Sequence, residues 1–276
     1  MRHATIEAVR EFWNRQPCNV RHSPKPVGTR AYFDEVEARK YLVEPHIPRF
    51  ANFAQWKGRK VLEIGCGVGT DSINFARAGA DLTVVDVSER SLELCRRRFS
   101  VYGLSAKWYC GDAEELGRFV PFEKYDLIYS FGVIHHTPNP RRIFDEIRKY
   151  CKPETRLQVM LYSKYSWKVF WILLILGKGA FWRASELVRQ HSEAQTGCPV
   201  TYCYSFSGIR RLMSDYEIVE IRKDHIFPYV IRLYVSYQHE KVWYFKLMPP
   251  MLFRAFERRF GWHTLVTARP GAWAAE

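Results

Sequence analysis

The sequence predicts an α/β protein whose core is a doubly wound, mostly parallel, seven-stranded sheet. From Arg59 onward, short apolar runs alternate with helix-length segments, a pattern typical of βαβ units. The first apolar run leads directly into a glycine turn and then into a helical pattern, as expected at the first strand of such a sheet. The strands are expected at residues 61–64, 81–85, 106–109, 126–130, 156–161, 217–222 and 264–267.

Three helices are expected between these strands, at residues 70–78, 89–102 and 141–150. In the second helix, Leu92, Cys95 and Phe99 recur at helical spacing and predict a buried face. The run of three arginines at 96–98 is interpreted as a solvated face of the same helix.

The N-terminal part of the chain has a different pattern. Helical segments there are interrupted at residues 17–28, where Ser23, Pro24 and Gly28 predict turns. We interpret residues 1–57 as a helical cap on the sheet domain, which would occupy residues 58–276.

The composition is that of a folded protein with a strong positive charge. Of its 276 residues, 47% are hydrophobic, and 42 Lys and Arg against 29 Asp and Glu give a net charge of +13. Such a charge attracts nucleic acids, anionic lipids or acidic substrates without selecting among them. The seven cysteines form no C-x-x-C pair, so we expect reduced thiols and no metal site. Because no secretory h-region follows Met1, we expect a cytoplasmic protein.

The glycine turn carries the clearest chemical signal. It has the pattern E-x-G-x-G-x-G over residues 63–69, whereas a dinucleotide fingerprint would have a further glycine at the position of Thr70. The bare backbone of such a turn lets a ligand approach closely at a helix N-terminus. Asp86 ends the second strand, 21 residues after Gly65, where doubly wound folds place a carboxylate on a ribose.

This pattern resembles motif I of the class I S-adenosylmethionine-dependent methyltransferases, which have a Rossmann-like fold. The segment 126–138 resembles the motif that follows the fourth strand in their UbiE-like (methyltransferase type 11) superfamily. The resemblance implies that S-adenosylmethionine is the cofactor, that Glu63 lies near its amino group and that Asp112 accepts from its adenine. The expected cofactor contacts are Glu63, Gly65, Cys66, Gly67, Gly69, Asp86, Val87, Asp112, Ala113, Ser130 and, as a cation–π contact from the cap, Tyr32.

Methyl transfer needs few catalytic residues, because a sulfonium already carries a good leaving group and the protein has mainly to align the acceptor. If the acceptor is a hydroxyl, its proton must leave, and a histidine is a suitable base. The candidates are His135 and His136, with a role in holding the loop as the alternative for His136.

The expected acceptor is a hydrophobic or ring-containing small molecule. Two inserts, at about 163–205 and 228–262, are unusually aromatic and are expected to shape its pocket. Within the first, the apolar segment 167–176 is shorter than the roughly 20 residues that span a bilayer. We expect this segment to be buried, with peripheral contact to a membrane surface as the alternative.

The sequence supports three other functions less well. RNA or DNA methylation is supported only by the charge, and the fourth strand lacks the N-P-P-Y or D-P-P-Y tetrad that holds a flipped base. A non-catalytic partner protein that binds the cofactor is not indicated, since every expected cofactor position is filled. An NAD-dependent oxidoreductase is disfavoured by the missing third glycine. The sequence contains no signal for a particular oligomeric state.

Overall fold

A single mixed sheet organises the protein. The computed structural model describes residues 5–179, 184–191 and 197–272. The strands are β1 (Lys60–Ile64), β2 (Asp81–Asp86), β3 (Lys107–Cys110), β4 (Tyr125–Phe131), β5 (Cys151–Tyr162), β6 (Tyr216–Asp224) and β7 (His263–Pro270). They lie in the order β3–β2–β1–β4–β5–β7–β6. Strands β1 to β5 run parallel, and β7 is antiparallel to both of its neighbours.

The winding of the sheet reverses at β1. This strand pairs with β2 on one side and with β4 on the other, so that Glu63 lies between Val84 and Tyr129. In doubly wound sheets the carboxyl ends of the strands at such a reversal form the crevice that binds ligands. The predicted fold class, a mostly parallel sheet of seven strands, is therefore confirmed.

Helices pack around this sheet. They are α1 (Ile6–Arg15), α2 (Arg30–Val43), α3 (His46–Ala51), α4 (Thr70–Arg77), α5 (Glu89–Tyr102), α6 (Pro140–Arg148), α7 (Trp167–Trp171), α8 (Ala184–His191), α9 (Phe206–Leu212), α10 (Ile231–Val235), α11 (Trp243–Leu247) and α12 (Pro250–Phe260). Short 3₁₀ helices lie at Phe53–Trp56, Ala113–Arg118 and Ile134–His136, and a π-helical turn at Ile172–Leu176. The hydroxyls of Thr29 and Ser88 cap α2 and α5, and Gly103 ends α5 in the left-handed conformation.

The predicted elements agree with the structure to within a few residues, except for β5. This strand begins at Cys151, five residues before the predicted start, because Cys151 pairs with Tyr125 ahead of a register shift in β4. The polar residues that follow Cys151 hide this extension from a pattern of apolar runs.

The first three helices form the predicted cap. Tyr32, Phe33 and Val36 of α2 are buried against Val68 and Leu94, which belong to the glycine turn and to α5. The cap therefore packs directly on the elements that carry the expected cofactor residues. Its boundary at residue 57 stays a prediction.

Arg98 lies on the buried side of α5, so the prediction of a solvated arginine face is wrong for this residue. Arg96 and Arg97 are exposed as expected, whereas Arg98 is completely buried. Its guanidinium donates to the Phe33 carbonyl at 2.9 Å and to the Glu37 carboxylate at 2.7 Å. The cap supplies these partners, which the pattern of α5 alone does not show.

The apolar segment 167–176 is buried on one side only. Val169, Ile172 and Leu173 are buried. The exposed side chains are Phe170, Trp171, Leu174 and Ile175. No helix in the described ranges is both long and apolar enough to cross a bilayer. Parts of the predicted insert 163–205 lie outside the described residues.

Candidate functional site

A cavity of about 300 Å³ opens at the carboxyl ends of β1, β2, β4 and β5. The turn after β1 forms one wall, and the cap and the β6–β7 region form others. Side chains from the cap and from the β6–β7 region that line it include Trp13, Lys40, Glu44, His225, Trp262 and His263. The cavity thus lies where the topology of the sheet places a ligand.

The glycine turn is shaped by close contacts as well as by backbone angles. Gly65, Gly67 and Gly69 all have positive φ, at +83°, +52° and +74°. A Cβ on Gly65 would lie 2.1 Å from Cγ2 of Val133, and one on Gly69 would lie 2.4 Å from Sγ of Cys95. Gly65 and Gly67 line the cavity, whereas Gly69 faces α5. Gly69 therefore allows the turn to pack closely against α5.

Asp86 holds the glycine turn in place. Its Oδ2 accepts from the amides of Cys66 at 2.9 Å and Gly67 at 3.2 Å, and its Oδ1 accepts from the amide of Ser88 at 2.8 Å. Burial raises the pKa of the Asp86 carboxyl, and these donors oppose that rise. Each carboxylate oxygen has more than one acceptor direction. Asp86 and its neighbour Val87 line the cavity and can accept a ligand donor there.

Glu63 presents a buried acceptor to the cavity. Its Oε2 has no hydrogen-bond partner among the described residues. Burial, reinforced by the nearby Asp71 carboxylate, raises the pKa of Glu63 to about 8. A buried acceptor without a donor costs free energy. The position therefore suits a ligand that brings a cationic or donating group to Glu63.

Lys40 and Asp71 form a buried ion pair next to Glu63, with 2.9 Å between Nζ and Oδ1. Asp71 also accepts from the hydroxyls of Tyr41 and Tyr129, each at 3.0 Å. This network fixes the cap helix α2 over the first turn of α4. The sequence does not predict this network, because the two charges lie 31 residues apart and share no local pattern.

Asp112 follows β3, as predicted. Its Oδ1 accepts from the Glu114 amide at 2.9 Å and so caps the short helix Ala113–Arg118. Burial raises the pKa of the Asp112 carboxyl. Asp112 and Ala113 line the same cavity as Asp86, and the capping bond fixes the direction of the carboxyl group.

Besides Gly69, two of the expected cofactor contacts, Ser130 and Tyr32, lie behind the cavity wall. The Ser130 hydroxyl donates to the Ile64 carbonyl at 3.1 Å, and the Tyr32 hydroxyl donates to the Val20 carbonyl at 2.8 Å. Both side chains are buried in protein contacts, so the cation–π role expected of Tyr32 does not fit its position. The aromatic side chain with which the cap lines the cavity is Trp13.

The two adjacent histidines have different surroundings. His136 lines the cavity, and its Nδ1 lies 2.8 Å from the Val200 carbonyl, to which it must donate. Nε2 is then the basic nitrogen of the neutral ring. His135 is completely buried against Tyr162, with 3.8 Å between ring centroids, and burial holds its pKa well below the usual range. The geometry therefore favours His136 over His135 as a base.

Three further histidines and a carboxylate meet at the end of the cavity next to β7. Nε2 of His46 lies 2.9 Å from Nδ1 of His263, and the ring centroids of His225 and His263 are 4.6 Å apart. Oε1 of Glu44 lies 3.7 Å from Nε2 of His263. Burial lowers the pKa of His46 to about 3 and those of His225 and His263 well below the usual range. The sequence does not predict this cluster, because its members come from three distant segments.

Part of the chain is similar in sequence to known methyltransferases. Residues 61–154 match the family model of a methyltransferase domain. The ubiquinone biosynthesis O-methyltransferase of Bordetella avium (strain 197N) is 32% identical over 97 residues, which cover 35% of this chain and 40% of that protein. The protein of the same name from Proteus mirabilis (strain HI4320) is 28% identical over 120 residues, 44% of this chain and 48% of that protein. The chain thus matches less than half the length of these relatives.

Solved structures resemble the chain over most of its length. The magnesium protoporphyrin IX methyltransferase of Synechocystis PCC 6803 with bound SAH has a TM-score of 0.59 and 17% identity, and covers 96% of this chain and 99% of that one. The cyclase SpnF has a TM-score of 0.55 and 17% identity, and covers 97% and 94%. At 17% identity this similarity shows the fold only. The two proteins share that fold, although their names describe different reactions. Residues 61–154 are therefore similar to a methyltransferase domain, as the sequence motifs predicted, and the chain has the fold of these solved proteins.

Proposed function

We propose that this chain transfers a methyl group from S-adenosylmethionine to a small-molecule acceptor with a hydrophobic or ring-containing part. The proposal rests on Oε2 of Glu63, for which the described part of the chain offers no hydrogen-bond partner and which lies in one cavity with the glycine turn and Asp86. The ammonium of the methionine moiety would supply the donor that Glu63 lacks. The similarity to enzymes named as O-methyltransferases supports the same activity.

The described residues fit this cofactor along its length. Asp86 would accept from the ribose hydroxyls, and Asp112 from the adenine amino group, since both carboxylates line the cavity. The backbone of Gly65 and Gly67 would lie against the methionine end. When bound, the cofactor supplies a methyl group activated by its sulfonium. The protein has to hold the acceptor in line with that methyl group and to exclude water.

The acceptor would lie against the aromatic wall of the cavity. Tyr162 and Trp262 stack with 4.1 Å between ring centroids, and Phe131 packs edge-on against His263. Such rings favour an apolar or aromatic partner. If the methylated group is a hydroxyl, Nε2 of His136 takes its proton, since Nδ1 is held by the Val200 carbonyl.

The test is to incubate the protein and a cell extract with S-adenosylmethionine that carries a deuterated methyl group. We expect a labelled product in the mass spectrum and release of S-adenosylhomocysteine. Calorimetry with S-adenosylmethionine and with NAD separates the alternatives. Preference for NAD would contradict the proposal, and cofactor binding without product from any extract would favour a non-catalytic partner protein. Loss of the labelled product after RNase treatment of the extract would instead indicate an RNA acceptor.

We also propose that the exposed side of the segment 167–176 contacts a membrane surface. Leu174 and Ile175 are 46% and 53% exposed, and Lys164 and Lys178 are exposed nearby. Apolar side chains flanked by lysines suit an interface with anionic lipids. Sedimentation with phosphatidylglycerol vesicles tests this.

Binding to the vesicles should weaken in the double variant Leu174→Ser/Ile175→Ser. It should be unchanged in Val219→Ser, which removes an exposed apolar side chain from β6. Equal binding of all three proteins would contradict the proposed contact.

A further inference from the structure

The cluster of His46, His225, His263 and Glu44 is not used by the cofactor contacts described above. Its members come from the cap, from the end of β6 and from the start of β7. Glu44, His225 and His263 each offer one ligand atom, and these atoms all lie within 4.8 Å of one another. All three residues line the cavity.

A direct bond between His263 and Glu44 does not explain the cluster. The 3.7 Å between Nε2 of His263 and Oε1 of Glu44 is too long for a hydrogen bond. It is close to the spacing of two ligands on one ion, because zinc bonds of about 2.0–2.2 Å in tetrahedral geometry separate their ligand atoms by about 3.3–3.6 Å. The two side chains are therefore spaced for an ion between them.

His46 is placed to orient His263. Nε2 of His46 lies 2.9 Å from Nδ1 of His263. A histidine that binds a metal through one nitrogen commonly donates through the other to a fixed partner. With Nδ1 of His263 donating to His46, Nε2 of His263 becomes a lone-pair ligand on the side of Glu44.

The backbone brings His225 to the same point. His225 has φ +67°, in the left-handed region, and its carbonyl accepts from the Trp262 amide at 2.8 Å. The chain can approach this closely because residue 261 is glycine, where a Cβ would lie 2.3 Å from the Asp224 carbonyl oxygen. A strained histidine that the surrounding contacts hold at a cavity wall is a frequent feature of binding sites.

We propose that Glu44, His225 and His263 bind one divalent transition-metal ion, of which zinc is the best match, with His46 orienting His263. Two imidazoles and one carboxylate are a ligand set of catalytic zinc sites, which keep a further position open. Here the open position would face the cavity and take water or an oxygen atom of a ligand. That this oxygen belongs to the methyl acceptor rests on the proposed function, whereas binding of the metal does not.

The test uses the full-length chain without a histidine tag, stripped with a chelator and titrated with Zn²⁺ in a calorimeter. We expect one ion per chain. Binding should weaken at least tenfold in His225→Ala and in His263→Ala, and about 10- to 100-fold in His46→Ala, the usual effect of losing an orienting partner. Glu44→Gln keeps the shape of the side chain and should also weaken binding at least tenfold.

Two control variants distinguish this site from adventitious binding. His239→Ala removes an exposed histidine and Cys110→Ser an exposed thiol, and both should bind Zn²⁺ like the wild type. Titration with Co²⁺ should give the visible absorption of a tetrahedral ion without a thiolate charge-transfer band. Circular dichroism of the metal-free variants checks that they fold.

Three results would overturn the metal site: absence of binding, equal binding by His263→Ala and wild type, or loss of binding in Cys110→Ser. Calorimetry with S-adenosylmethionine on the metal-free protein tests the proposed function separately. Zinc binding without cofactor binding would reject only the proposed function, and the reverse result would reject only the metal site.

Discussion

The buried guanidinium of Arg98 in α5 pairs with the partly exposed carboxylate of Glu37 in α2, with 2.7 Å between Nη2 and Oε2. The guanidinium also donates to the Thr70 hydroxyl at 2.9 Å, and Glu37 accepts in addition from Arg77 at 2.8 Å. The pair therefore joins the cap to α5 and to the first residue after the glycine turn. Through this contact the cap and the turn are held as one unit.

Replacing Arg98 should strongly destabilise the protein. Arg98→Ala leaves the Phe33 carbonyl and the Thr70 hydroxyl without their buried donor and creates a cavity, so we expect a loss of about 3–5 kcal/mol in the free energy of unfolding. Arg96→Ala, on the exposed side of the same helix, should change it by less than about 0.5 kcal/mol. Urea denaturation of both variants measures the difference. Equal effects would show that the interior contacts of Arg98 contribute little.

Gly65 should tolerate no side chain. In Gly65→Ala the new Cβ would lie 2.1 Å from Val133 at a φ of +83°. We expect about 1–2 kcal/mol from the left-handed backbone and a further 1–3 kcal/mol from overpacking. Gly103→Ala is the matched control, since Gly103 has a φ of +67° with nothing within 4 Å of the new Cβ.

Urea denaturation of the two glycine variants separates the backbone contribution from the packing contribution. Gly103→Ala should lose only the backbone part, about 1–2 kcal/mol. Gly65→Ala should in addition weaken binding of S-adenosylmethionine, because the turn lines the cavity. Similar losses of stability in the two variants would contradict the close contact with Val133.

Asp86 should matter for cofactor binding through two groups of contacts. Asp86→Ala removes the acceptor proposed for the ribose, and we expect binding of S-adenosylmethionine to weaken by roughly 1.5–3 kcal/mol. It also releases the amides of Cys66 and Gly67. Asp86→Asn keeps one acceptor oxygen and should lose less. Calorimetry on both variants tests this, and unchanged affinity in Asp86→Ala would reject the placement of the ribose.

The strands and the glycine turn could be predicted because their signals are local. An apolar run, a turn and a helix follow one another within residues 61–78, and each is visible in a short window. The positions of Asp86 at the end of β2 and of Asp112 shortly after β3 can be predicted in the same way. Where the whole pattern lies within one short segment, the sequence is sufficient to predict the element and its position.

The buried charges could not be predicted, because their partners are distant in the chain. Arg98 falls on the apolar face of α5, three residues after Cys95. Because it is an arginine, its side chain was nevertheless expected to be exposed to solvent. Glu37, which makes burial of Arg98 tolerable, lies 61 residues earlier. The histidine cluster is a stronger case, since His46 and His263 are separated by 217 positions. Only the folded chain brings such groups together.

His136 should affect catalysis more than cofactor binding. Once an acceptor is identified by isotope labelling, we expect His136→Ala to lower kcat by about 10²–10⁴-fold, the usual contribution of a general base. Binding of S-adenosylmethionine should change little. His135→Phe replaces a buried ring that packs against Tyr162 and should act mainly on stability. A small effect of His136→Ala on kcat would indicate that the acceptor needs no base.

Glu63 should make cofactor binding depend on pH. Burial raises its pKa from 4.5 to about 8, so the free folded protein keeps a proton that the unfolded chain has lost. Between these two values the contribution of Glu63 to stability therefore falls as pH rises. The ammonium of S-adenosylmethionine needs the ionised carboxylate, so binding near neutral pH must release this proton. Affinity should then increase with pH up to about 8.

The expected change of affinity with pH follows from the ionised fraction of Glu63. It rises from about 1% at pH 6 to about 9% at pH 7 for a pKa near 8, so affinity should increase about ninefold over this step. Calorimetry in two buffers of different ionisation enthalpy should detect release of about one proton per cofactor bound. Glu63→Gln should abolish both effects, whereas Glu93→Gln, an exposed change on α5, should preserve them. A wild-type affinity that is the same at pH 6 and pH 7 would mean that the cofactor ammonium does not bind Glu63.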